Sequence, residues 1–93
     1  MTEAIRSAAH QHIIDARIRE GDLIAGVVHG YIVETRNIPF ADRTSTERRK
    51  EFVTPYFAHL NGVEKALVVS QTMVKISNVL SRIERERLET EDA

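Results

Sequence analysis

The residues best suited to chemistry in this 93-residue chain are four histidines, His10, His12, His29 and His59. On a helix, two ligands to one metal must stand three or four residues apart. His10 and His12 are two apart and fall on different faces. His12 and Asp15 have the right spacing, but no third ligand lies near them in sequence, and His29 and His59 have no Asp, Glu or His at those offsets. The pattern predicts half-buried or surface imidazoles and no metal site. Nucleophilic catalysis has no better candidate. There is no cysteine, no serine in a strand-turn-helix elbow, and no glycine loop shaped to cradle phosphate. Asp42 and Glu47 could pair as acid and base only across a cleft, and helix capping accounts for Glu47. The expectation is therefore no catalytic residue, no metal and no cofactor.

The densest charge cluster is "RTSTERRK", with Arg43, Arg48, Arg49 and Lys50. Basic residues at a helix start, followed by Phe52 and Tyr56, are candidates for phosphate or nucleic-acid contact. Glu47 and Glu51 within the same stretch favour a solvated helix face instead. Over the whole chain, 13 basic residues balance 14 acidic ones, so no global field points to nucleic acid or to a membrane. The absence of cysteine fits a reducing compartment. The start, "MTEAIRSAAHQHIID", lacks a signal-peptide apolar core, and the longest strongly apolar run, "LIAGVV", is too short to span a bilayer. A cytoplasmic protein is expected.

The elements that would hold these residues are helical. Only two prolines and four glycines punctuate a single domain, residues 1–93. Residues 3–20 carry Ile5, Ala8, Ala9, His12, Ile13 and Ala16 on one helical face. Gly21 and Asp22 read either as a C-cap followed by an N-cap or as a mild flaw in one continuous helix. Residues 22–36 space Leu23, Ile24, Val27, Val28, Tyr31 and Ile32 as a helix does, although the β-branched content also permits a strand. Residues 37–43, "NIPFADR", form the clearest loop, because Pro39 drives Ile38 out of helical geometry. Thr44 and Glu47 are spaced as a capping box for a helix over residues 45–60. That helix gathers Phe52, Val53, Tyr56, Phe57 and Leu60 on one face, and Pro55 should kink or divide it.

The last helix, residues 62–89, carries a heptad stripe at positions 66, 69, 73, 76, 80 and 83. About 27 residues at 1.5 Å each span roughly 40 Å, whereas a compact chain of this length measures roughly 32 Å across. An overhanging helix needs cover from an elongated bundle, from a second copy, or from both. A partial second stripe of Val63, Leu67 and Val74 widens the apolar face near the helix start. This pattern places the upper half of the helix in the chain's own bundle and the lower half against another copy.

One stretch, "ERRKEFVTPYFAHLNGVEKAL", residues 47–67, resembles the opening helix of phage terminase small subunits. In that family basic residues precede an aromatic-rich helix that ends in Leu-Asn and is followed by an apolar helix. The resemblance implies a phage origin and nucleic-acid binding through the basic cluster. The likeness covers about twenty residues. Some forty residues precede it here, and a long heptad helix replaces the sharp helix-turn-helix. Chain length and helical content also resemble the small all-helical chorismate mutases, which implies cationic side chains converging on a dianionic substrate. Arg6, Arg17 and Arg19 do not fall in that pattern.

The expected fold is all-α: an elongated bundle of three to four helices with a long, coiled-coil-like C-terminal helix, forming a homo-oligomer through Val69, Met73, Ile76, Leu80 and Ile83. The expected role is non-enzymatic: an adaptor, regulator or inhibitor that meets itself and another protein. Nucleic-acid binding through residues 43–50 is the alternative, and a small helical enzyme or ligand binder is the weaker third.

Overall fold

A computed structural model describes residues 20–92. Of these, 85% are helical and none lies in a strand, so the chain is all-α over the described range. The predicted helix over residues 3–20 lies outside that range, as do His10, His12 and the arginines at 6, 17 and 19.

The first described helix, α1, covers residues 20–34. Gly21 and Asp22 lie inside it, so the chain does not break there, and the helix-or-strand ambiguity of residues 23–34 resolves to helix. Its apolar spacing wins over its β-branched content because Ile24, Val27 and Tyr31 fall on one edge and all three are buried. Three turn residues follow. The segment read as a loop then contains a short helix, α2 (Phe40–Arg43), directly after Pro39. Proline has its φ preset for the residue before a helix and needs no donor there.

Helix α3 spans Thr46–Val53. Its N-cap is Ser45, whose hydroxyl accepts the Arg48 N–H at 3.4 Å, and not Thr44. This corrects the capping-box reading by one residue. The Thr44 hydroxyl is already committed, donating back to the Phe40 and Ala41 carbonyls at the end of α2. Pro55 divides the predicted 45–60 helix as its missing N–H requires. The α-helix stops at Val53 and a 3-10 turn, Thr54–Phe57, carries the proline in its first turn. Helix α4 runs from Gly62 to Asp92, 31 residues and about 46 Å.

One core joins these elements. Ile24, Val27 and Tyr31 of α1 meet Val53 and Phe57, and α4 supplies Val68, Val69, Ile76 and Leu80. Two threonines are buried with them. Each threonine hydroxyl donates to the carbonyl four residues back, Thr35 to Tyr31 at 2.7 Å and Thr72 to Val68 at 2.8 Å, so neither is stranded. The Phe52 ring stands edge-on to Tyr31 at 5.3 Å and tilted against Tyr56 at 5.6 Å, which ties α1 to the 3-10 turn. Gly21 to Ile32 share a groove with Lys75, Asn78 and Val79, and Ile32 to Arg36 share the next groove with Ile83 and Arg87. Helix α1 therefore runs beside α4 in the same direction, while α3 returns against it, with Arg49 reaching Met73.

Candidate functional site

The basic cluster is divided between two jobs. Arg43 closes the C-terminal end of α1. Its Nε donates to the Thr35 hydroxyl at 3.0 Å and its Nη2 to the Ile32 carbonyl at 2.8 Å. The Arg43 carbonyl in turn accepts the Tyr31 hydroxyl at 2.5 Å. A helix leaves its last carbonyls unpaired, and a guanidinium there satisfies one of them and complements the helix dipole. Arg49 bridges α3 to α4: its Nη1 donates to the Met73 carbonyl at 2.9 Å, and its Nη2 lies 3.4 Å from the Thr46 hydroxyl. Its Nε is buried without a partner among the described residues.

Arg48 and Lys50 are exposed. Two residues on a helix are about 200° apart, so these two cations point to different sides. The four candidates for phosphate contact thus do not form one surface: Arg43 and Arg49 spend guanidinium donors on the fold. The nearby Tyr31 hydroxyl is the group they perturb. Burial pushes it above the usual phenol value of 10.0, and the charges of Arg48, Arg49 and Arg43 pull it back only in part.

The heptad stripe is also reassigned. Ile76 and Leu80 are fully buried, Val69 nearly so, and all three belong to the chain's own core. Met73 and Ile83 are half-buried. This corrects the placement of Val69, Ile76 and Leu80 at a surface for a second copy. The upper half of the helix does sit in the chain's own bundle, through Val68, Val69, Thr72 and Ile76, but on one side only, and its other side is bare. Val63 is 79% exposed, Leu67 60% and Val74 56%, with Leu88 at 48% further down.

These exposed residues share one edge. Nine residues are 2.5 turns of helix, so Val63 stands opposite Thr72, Leu67 opposite Ile76 and Val74 opposite Ile83. The outer edge has its own heptad spacing, 63, 67, 70, 74, 77, 81, 84 and 88, with serine at 70, 77 and 81. Its upper part was legible in the sequence as the partial stripe Val63, Leu67 and Val74. What the sequence did not reveal is that this stripe, and not the longer one, faces away from the chain. Beside it lies an open apolar groove of roughly 470 Å³ between α1 and α4, floored by Ile24, Val28 and Ile32. His29 lies on its wall, and His59 is exposed elsewhere.

Comparison with models of protein families, with curated proteins and with solved structures returns no match. The geometry of this chain is what its function must be argued from. Among the described residues no three His, Cys, Asp or Glu side chains gather as metal ligands, and no helix is long and apolar enough to cross a membrane. Of the aromatic residues, Phe57 is buried, Phe52 packs against the core, and Tyr56 stays 46% exposed.

A second concentration of arginine, not legible from sequence, gathers at this same C-terminal end of α1. Arg36, Arg43 and Arg87 line one groove, brought together by the turn at residues 35–39 and by α4. Arg87 is engaged there with Glu84 and, at 2.5 Å, with Glu91. The Glu84 carboxyl is held below its ordinary value by the hydrogen bond from Arg87. Fifty-one residues separate Arg36 from Arg87 in the chain, which is why no spacing motif announces the group.

Proposed function

We propose that this chain is a non-catalytic assembly protein, pairing with a second copy through the outer edge of α4 and offering the rest of its helical surface to another protein. The observation that carries this reading is that α4 has two apolar edges and the chain's own core uses one. A helix apolar on opposite sides is stable in water only when both are covered. The 3.5-residue spacing of Val63, Leu67, Ser70 and Val74 suits a seam against a similar helix, and the small serines at 70, 77 and 81 let two backbones come close. The buried hydroxyls support the non-catalytic part, because Tyr31, Thr35 and Thr72 each donate to a backbone carbonyl.

The test is solution mass by light scattering for the wild type and for Val74→Glu. Val74 is exposed, so the variant should fold with unchanged helical content, and a wild-type dimer should become a monomer. A wild type that stays monomeric at every concentration rejects the reading. Nucleic-acid contact, the alternative, keeps Arg48 and Lys50 as its exposed cations. Titration of labelled DNA at two salt concentrations separates it, because phosphate contacts give affinity that falls with salt.

A further inference from the structure

We infer that the arginine groove at the C-terminal end of α1 is a binding site for an amphipathic anion: a carboxylate attached to an apolar chain or ring. The groove holds roughly 700 Å³, within the range of small-molecule sites. Two independent features coincide in it. One is apolar: Val33 is 42% exposed and Phe40 37%, and Ile38 and Ile83 complete that wall. The other is cationic: three guanidiniums line the same space with a single carboxylate, that of Glu84, opposing them.

Arg43 is the built part of the site. Its Nε and Nη2 are fixed by Thr35 and the Ile32 carbonyl, so the guanidinium is already immobilised before any ligand arrives. Its Nη1 is the donor left over. A ligand that accepts from a pre-fixed fork loses little side-chain entropy. Arg36 stands at the same mouth with no side-chain hydrogen bond or ion pair among the described residues. Arg87 also lines the groove, but its guanidinium is already engaged by Glu84 and Glu91.

The carbonyl ends of α1 would ordinarily repel an anion here. That repulsion is blunted, because the Ile32 carbonyl accepts from Arg43, the Tyr31 carbonyl from the Thr35 N–H and hydroxyl, and the Thr35 carbonyl from the Ile38 N–H. The ligand's carboxylate accepts from Arg43 Nη1 and the Arg36 guanidinium, and its apolar body lies on Phe40 and Val33. The groove meets α4 at Ile83, Glu84 and Arg87, about two and a half turns beyond Val74, so the site lies apart from the Val63–Val74 stretch, with Glu84 shared between the groove and the outer edge.

The probe is 4-phenylbutyrate, with 4-phenylbutan-1-ol as its uncharged counterpart, followed by amide chemical shifts in the whole chain. The expected result is saturable shifts confined to residues 32–43 and 83–87 with the acid, and much weaker binding of the alcohol. Arg36→Gln should weaken the acid about tenfold, the loss of one charge-assisted hydrogen bond, and leave the alcohol unchanged. Phe40→Ala should weaken both. Equal binding of acid and alcohol, saturation that maps to the α1–α4 groove at Val28, or no shift at millimolar probe would overturn the assignment. Arg36 and Phe40 are both exposed, so these variants keep the fold, and retained helical content verifies this for each.

Discussion

Leu67→Ala and Ile76→Ala should separate the two edges of α4 cleanly. The residues are nine apart on one helix, on opposite sides, and differ in exposure from 60% to none. Ile76 is enclosed by the core, so its truncation should cost the single chain about 2–5 kcal/mol of unfolding free energy. Leu67 touches water, so its truncation should change the stability of one chain by no more than about 0.5 kcal/mol. Its effect should appear in pairing instead. Full burial of leucine is worth about 1.5–3 kcal/mol, so covering the 60% that is exposed gains about 1–2 kcal/mol per copy. A two-fold dimer counts this twice, about 2–4 kcal/mol, which weakens the dimer by roughly thirtyfold to several hundredfold. Sedimentation equilibrium measures the dimer constant, and urea melts at several protein concentrations measure the rest. Melts of the wild type should depend on concentration, since pairing stabilises by mass action, and those of Leu67→Ala much less. If Leu67→Ala instead lowers stability as much as Ile76→Ala, and equally at all concentrations, the outer edge is covered within a single chain and the reasoning fails.

Three further outcomes follow from the same structure. Arg43→Met should lower the unfolding free energy by about 1–3 kcal/mol in urea melts, because it leaves the Ile32 carbonyl and the Thr35 hydroxyl without their donor; an unchanged midpoint would mean that Arg43 does not close α1. Tyr31, whose pKa is raised in the folded chain, binds its proton more tightly folded than unfolded, so its contribution is complete below the unfolded value near 10.0 and declines as pH rises past it. In the Tyr56→Phe variant, the phenolate absorbance reports Tyr31 alone and its midpoint should lie above pH 10.0, so a midpoint at or below that value refutes the burial of the phenol. The orientation of the pair can be read by single cysteines, since the chain has none. Glu84 lies on the outer edge and would meet its own copy in a parallel pair, so an antiparallel pair is expected: Val63→Cys mixed with Leu88→Cys should cross-link, and Val63→Cys alone should not.

Helix placement was legible because it depends on local rules. The spacing of Ile24, Val27 and Tyr31 specifies a helical edge, Pro55 ends an α-helix wherever it falls, and Asn61–Gly62 marks the start of α4. The boundaries were less so. Ser45 and Thr44 are equally good caps in isolation, and the short α2 that occupies the Thr44 hydroxyl decided between them. The roles of the arginines were not legible at all. Arg43 and Arg48 look alike in sequence, but one sits where α1 ends and the other faces solvent.

By itself, then, the sequence determined that this chain is helical, that its final helix is too long for a chain of this size, and that this helix carries one heptad stripe and part of a second. These are properties of residue type and period, which act over one or two turns. Only the tertiary structure decided which edge is spent inside. Burial is set by what packs alongside, and α1 lies against the Ile76 and Leu80 side, leaving Val63, Leu67 and Val74 facing outward.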